Sequence, residues 1–462
     1  MTIGMDPLTE LRSAIRGEVI LPGDPGYEDA RHVWNGMIDR RPSVIVQAAG
    51  VDDVPPVIAF ARESGLPLAI RGGGHNVAGN GTVDDGIVLD LGRLDTVDVE
   101  PEARLVHVGA GAKLADIDRA TEPFGLVVPI GVVSGTGIAG LTLGGGVGWL
   151  VRPYGLTIDN LVGADVVLAS GDRVRASADE NPDLFWGLRG GGGNFGVVTS
   201  FTFRAYLLDP DVFAGNLIYE LPRWPEALRA FRAWSRDLPN QMTCLITFAV
   251  PAAEWELGDR VLMFLGFAWA GPDHIEGEAL IAKLQAACPA DIPVLDPTRW
   301  ITFQSAFDAI LPKGVRAYWR NASFDRLDDA MIETIVEHCG AQTWFGTAAD
   351  LHHMGGAYGR VGEDETAFPS RSAAFWLNVY GYWPDAADDP AMIAWVKGFS
   401  DAMQPYAMPG QYVNFLGLDD ADPRRKALAA YGPAKLERLT ALKRRYDPEN
   451  LFRINHNIPP AG

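Results

Sequence analysis

Apolar residues recur at two spacings along this chain, and each spacing predicts a different element. Short apolar, β-branched runs at 43–48, 67–71, 86–91 and 104–109 predict strands. Between them Val54, Val57, Ile58 and Ala61 fall on one stripe, which predicts a helix over Val54–Glu63, with a second over Ala115–Glu122. Runs at Leu161–Leu168 and Val197–Phe203 predict strands around a helix at about Pro182–Leu188. After Arg204 glycine thins and aromatic residues multiply. Leu228, Phe231 and Trp234 place a helix over Glu226–Leu238, and Ile281–Ala287 and Leu327–His338 follow the same spacing. Aromatic-rich runs at Met263–Trp269, Val315–Ser323 and Phe375–Tyr382 predict strands between these helices. Leu436, Leu439 and Leu442 predict a helical tail over Arg424–Asn457. The fold class is therefore α+β, with helices covering an antiparallel sheet in the middle region.

Length and charge narrow the function. A chain of 462 residues is too long for one ordinary domain. A formal net charge of −20 argues against nucleic acid and anionic membrane surfaces as partners, while leaving room for a local basic pocket. Cys244, Cys288 and Cys339 are widely spaced and form no metal pattern, so a reducing, cytoplasmic setting is expected. Met1–Arg16 carries charges throughout and lacks the apolar core of a signal peptide. No run of 18 apolar residues suggests a membrane span.

The chemistry concentrates in glycine-rich segments. Arg71-Gly72-Gly73-Gly74-His75-Asn76-Val77-Ala78-Gly79 sets one histidine inside a turn whose bare N–H groups can form an anion nest. A diphosphate cradle with an imidazole beside it points to a cofactor that is held and bonded. Gly135-Thr136-Gly137-Ile138-Ala139-Gly140 is a literal G-x-G-x-x-G, but Gly144-Gly145-Gly146 follows closely and makes a poor helix start. A glycine loop lying against a large planar cofactor fits better than a nicotinamide Rossmann site. The third segment, Gly190 to Val198, runs straight into a strand. Glycine loops spread over this span imply a long, extended ligand.

Several of these segments carry a family likeness. Arg71 to Gly79, Asp84 to Leu91, Leu143 to Gly148, Tyr154 to Asn160, Asn181 to Trp186 and Gly193 to Val198 resemble the FAD-linked oxidases of the vanillyl-alcohol-oxidase superfamily. Tyr412-Val413-Asn414-Phe415 and Tyr446 to Pro460 resemble the C-terminal segment of its berberine-bridge-enzyme-like branch. The likeness spans nearly the whole chain, in order. It implies a PCMH-type FAD-binding domain over 1–205, made of two α+β subdomains (about 1–97 and 98–205). It further implies a substrate domain over 206–423, an antiparallel sheet covered by helices, and a segment at 424–462 that returns to the FAD domain.

By resemblance, the FAD site includes Arg71, Gly72, Gly73, Gly74, His75, Asn76, Gly79, Val133, Ser134 and Thr136. It continues through Gly137, Gly140, Leu143, Gly144, Gly148, Gly196, Val198, Tyr412, Asn414 and Asn455. His75 resembles the histidine bonded to the flavin 8α-methyl group. Many relatives carry a second link from a cysteine, and Val133 stands at that position here, so the FAD is expected to be monocovalent through His75. Thr136 falls where relatives gate oxygen, usually with valine.

The resemblance implies oxidation of an alcohol or amine in a small or secondary metabolite, with dioxygen as acceptor and hydrogen peroxide as product. Alternatives are a flavin dehydrogenase with another acceptor and a non-catalytic flavin protein. Tyr412 is the first choice of base, and a cation is needed to lower an ordinary phenol pKa near 10. Arg320, in Tyr318-Trp319-Arg320, is a candidate for that cation, with Tyr318 beside it, and Glu365 is the second choice of base. His352 and His353 lack further ligands at metal spacing, so one structural or substrate-lining histidine is expected and no metal. His456 is expected to make a structural hydrogen bond. Trp376, Tyr380, Tyr382 and Trp383 are read as packing, as a substrate wall, or as both on opposite faces of a strand. A monomer or homodimer is expected.

Overall fold

The computed structural model describes residues 5–295, 297–418 and 422–460. The N-terminal region contains two main sheets and a two-stranded one. The first has four strands in the order Glu18–Ile20, Val44–Gln47, Ile87–Asp90, Leu68–Arg71, with the last three parallel. Helix Val54–Ser64 buries Val54, Val57, Ile58, Phe60 and Ala61 and ends at Gly65. The second sheet is five-stranded and antiparallel, in the order Val97–Glu100, Leu105–Gly109, Val197–Arg204, Leu161–Val167, Arg173–Ser177. A short helix, Ile138–Gly144, does open on the G-x-G-x-x-G, contrary to the expectation from its glycines. No Rossmann strand leads into it: the preceding strand is Leu126–Val127, paired antiparallel to Tyr206–Leu207. The three glycines fall at the C-terminal end of this helix, where Gly145 and Gly146 take positive φ.

The middle region is an eight-stranded antiparallel sheet. Its main path is Ile292–Val294, Asp211–Tyr219, Leu262–Trp269, Met242–Val250, Gly346–His353, Phe375–Trp383, Arg316–Phe324. Helices Trp224–Trp234, His274–Ala287, Asp329–Gly340 and Asp389–Met403 cover one face and share a core with Ile246, Phe248, Leu265, Phe267, Leu377 and Val379. The other face turns toward the N-terminal region. Strands Asp211–Tyr219, Met242–Val250 and Gly346–His353 and helix Asp389–Met403 are elements the sequence pattern does not announce.

The tail helix runs from Pro423 to Tyr446, short of the expected Asn457, and kinks at Gly432. Its Leu436, Leu439, Leu442 and Tyr446 join the core of the N-terminal region. Lys443 and Asp447 form a fully buried ion pair at 2.6 Å. The Lys443 ammonium also donates to the carbonyls of Asn194 and Phe452, so its remaining protons are satisfied. This pins the tail onto the glycine-rich segment at 190–196. Among the described residues no helix is long and apolar enough to cross a membrane.

Candidate active site

One continuous cavity runs between the glycine loops and the uncovered face of the large sheet. Two glycine loops meet at one end. A Cβ on Gly73 would overlap the Gly137 nitrogen, and a Cβ on Gly137 would overlap that of Gly73. Among the described residues the amides of Gly73, Gly74 and His75 donate to no backbone carbonyl, which leaves them for an anion. Arg71 donates to Asp90 Oδ2 through Nε and Nη2, at 3.1 and 2.8 Å, while its buried Nη1 has no partner. Bare amides, a spare guanidinium nitrogen and a cradle that a single methyl group would fill all suit a diphosphate-bearing cofactor.

His75 lies against Trp34, with ring centroids 4.5 Å apart and planes 21° from parallel. Burial and the nearby Lys113 ammonium push its pKa down to about 4, so the imidazole is neutral at physiological pH and keeps a free nitrogen lone pair. Lys113 is fixed in turn by donating to Gly73 O at 3.1 Å.

Strand parity decides what the sheet offers the cavity. On Phe375–Trp383 the even residues Trp376, Asn378, Tyr380 and Tyr382 face away from the helices, while Phe375, Leu377, Val379 and Trp383 pack under them. On Arg316–Phe324, Ala317, Trp319, Asn321 and Ser323 share the cavity-side parity. Trp319, Tyr380, Tyr382 and Phe415 form one aromatic group, with Trp319 edge-on to Tyr380 at 5.0 Å and to Phe415 at 5.7 Å. Asp350 lies directly across from Asn378 on one neighbour and Thr247 on the other. Burial raises its pKa to about 6, against the pull of the Thr247 and Tyr380 hydroxyls, and its Oδ1 has no hydrogen-bond partner.

Comparison with known proteins places this geometry. Residues 42–177 match the FAD binding domain family, and residues 411–459 match the berberine and berberine-like family. An uncharacterised FAD-linked oxidoreductase of Bacillus subtilis is 30% identical, over 97% of this chain and 98% of its own. The (R)-6-hydroxynicotine oxidase of Paenarthrobacter nicotinovorans is also 30% identical, over 97% of this chain and 98% of its own. The chain is a berberine-bridge-enzyme-like FAD-linked oxidoreductase. The crystal structure of 6-hydroxy-D-nicotine oxidase from Arthrobacter nicotinovorans superposes with a TM-score of 0.84 at 26% identity, covering 97% of this chain and 98% of that one. A Physcomitrella patens berberine-bridge-enzyme-like protein shares the fold, with a TM-score of 0.87 at 23% identity and 99% coverage of both chains.

The oxidoreductase gathers most of its expected cofactor residues around the cavity. Arg71, Gly72, Gly73, Gly74, His75, Asn76, Val133, Thr136, Gly137 and Gly140 line it, as do Leu143, Gly144, Gly196, Val198, Tyr412, Asn414 and Asn455. Gly79, Ser134 and Gly148 do not. Gly79 packs on Ile38, the Ser134 amide donates to Asp308 at 2.9 Å, and a Cβ on Gly148 would overlap Ile130 O. Their glycine or loop character serves packing of the cradle instead.

The expected catalytic groups divide. The Tyr412 hydroxyl accepts from Gly146 N and from Asn414 Nδ2, each at 3.0 Å, and burial lifts its pKa to about 12. It ties the C-terminal segment to the glycine loop and is a poor proton acceptor near neutral pH. Tyr318 and Arg320 stand on the parity opposite Trp319 and Asn321, away from the cavity, and Arg320 Nε donates to Tyr318 Oη at 2.9 Å. Arg320 therefore does not lower the Tyr412 phenol. Glu365 is exposed and accepts from Gly362 N at 2.8 Å within its own turn, outside the cavity. His352 lines the cavity. His353 turns the other way, against Phe231 and Phe375, with Arg152 Nη1 at 3.3 Å. His456 also lines the cavity; its carbonyl accepts from Asn194 Nδ2, while its Nε2 has no partner. Asp350, Trp319, Trp34 and Lys113 are the residues that sequence reasoning missed.

Proposed function

We propose that this oxidoreductase removes a hydride from a carbon bearing a hydroxyl or an amine in a small metabolite, and that dioxygen takes up the electrons to give hydrogen peroxide. The observation that carries the reading is one cavity shared by His75 in its glycine cradle and by Asp350 under an aromatic wall. FAD, when bound, supplies the hydride acceptor. His75, neutral and stacked on Trp34, would hold the flavin covalently through a ring nitrogen, alone, since Val133 offers no second nucleophile. Arg71 and the amides of Gly73 and Gly74 would neutralise the diphosphate. Trp319, Tyr380 and Phe415 would orient the substrate and exclude water. Asp350 would accept the proton released from the substrate heteroatom, because its pKa of about 6 leaves it ionised yet basic near neutral pH.

The similarity to (R)-6-hydroxynicotine oxidase supports the oxidase reading. The test is turnover of a screened panel of alcohols and amines by the yellow protein. Peroxide formed in a one-to-one ratio with substrate consumed is the expected result. Reduction of an artificial dye without peroxide would assign the enzyme to the dehydrogenases.

A further inference from the structure

The charge inventory of the cavity points to the class of substrate. Among the described residues, the acidic and basic side chains lining it, histidines aside, are Arg71 and Asp350. Arg71 is already paired with Asp90. Asp350 has no cation: its neighbours across the sheet are Thr247 and Asn378, its Oδ1 is unpartnered, and both polar atoms of the fully buried Asn378 side chain are unpartnered as well. A lone buried carboxylate is expensive to maintain, and it marks a place where a ligand brings the missing charge. The walls beside it are aromatic. Tyr380 and Tyr382 stack at 5.7 Å, Trp319 stands edge-on to both, and Phe415 adds a further face. Aromatic faces attract a desolvated cation, and a carboxylate fixes its position.

We propose that Asp350, Trp319, Tyr380 and Tyr382 form a receptor for an ammonium group, so that the substrate is an amine carrying a flat apolar body. The proposal rests on reading this cavity as the substrate site of an FAD oxidoreductase. In the reaction the Asp350 carboxylate takes one N–H proton from the ammonium and becomes a neutral acid. The neighbouring C–H bond then breaks, its hydrogen and both electrons passing as hydride to FAD. The nitrogen lone pair forms the new C=N bond, and the substrate leaves as an iminium cation, two electrons more oxidised. Positive charge returns to the substrate as the hydride departs, and the same aromatic faces stabilise it there.

The test titrates the FAD-loaded enzyme at pH 7.5 with benzylammonium, benzyl alcohol and benzoate. These share one ring and differ in charge. Binding is read from the change in flavin absorption and by calorimetry. Benzylammonium should bind about tenfold or more tighter than benzyl alcohol, and benzoate should not bind. Asp350→Asn should erase the preference and Asp350→Glu should keep it, with FAD content measured in each variant. Equal affinity for the alcohol, preference for benzoate, no binding of benzylammonium at 10 mM (roughly the weakest affinity of interest), or a preference that survives Asp350→Asn would each overturn the proposal. A protein that discriminates by charge yet oxidises nothing in the panel would refute the proposed reaction instead. A working oxidase without charge preference would refute only the ammonium receptor.

Discussion

Replacing Asp350 with asparagine removes a charge while keeping the shape of the side chain. The ordinary carboxyl value of 3.8 rises to about 6 in the folded protein, mainly through burial. Folding therefore favours the protonated form. The resulting cost to stability is absent well below pH 3.8, grows as the pH rises toward 6, and is constant above that. The gap corresponds to ~3 kcal/mol above pH 6. Asparagine carries no such cost, so Asp350→Asn should be more stable than the parent by up to that amount at pH 7.5, and the gain should vanish as the pH is lowered toward 4. The midpoint shift is roughly 3 °C if the whole chain unfolds together and roughly 7 °C if the region around the large sheet unfolds alone. Differential scanning calorimetry of both proteins at pH 4, 5, 6 and 7.5, with equal FAD content, measures it. Tyr380 and Tyr382 face Asp350, and Cys339 also senses its charge; burial keeps all three neutral over this range. A variant less stable than the parent at pH 7.5, or a gain that does not shrink on acidification, would show that Asp350 is already compensated and would undercut its role as the unpaired charge of the site.

Other substitutions separate the remaining roles. Gly73→Ala should abolish FAD loading, because the added methyl meets Gly137, and a normal ratio of flavin to protein absorbance would refute the cradle. Tyr412→Phe leaves the buried Gly146 amide without its acceptor and should cost about 1–3 kcal/mol in urea-melt stability, with turnover changed less than tenfold. A loss above a thousandfold would return the proton-accepting role to Tyr412. Glu365→Gln should leave turnover and stability within roughly 0.5 kcal/mol of the parent, and a large loss of turnover would place its loop at the site.

Much of the N-terminal half was legible because its strands are short, β-branched and separated by glycine turns or amphipathic helices. Helix Val54–Ser64 and strands Leu68–Arg71 and Ile87–Asp90 fall within a residue or two of expectation. The large sheet was harder. Met242–Val250 is buried at every position, so it shows no alternation from which a strand could be read. Gly346–His353 is buried throughout as well, and Asp350 sits inside it. An acid within an unrecognised strand carries no signal. Tyr318 and Arg320 failed for a different reason. Sequence reveals that alternate residues of 316–324 share a face, but only the packing of the helices reveals which face meets the cavity. The cofactor loops were legible because close backbone approach demands glycine and leaves a pattern few other constraints imitate. The parts of them that only pack, such as Gly79 and Gly148, carry the same letters and could not be told apart.

The most direct measurement is acid precipitation of the purified protein, followed by mass analysis of its peptides. The account predicts a yellow pellet, one FAD of added mass on the peptide holding His75, and dye that washes away from His75→Ala. A colourless pellet, FAD bonded at another residue, or dye retained by His75→Ala would contradict it.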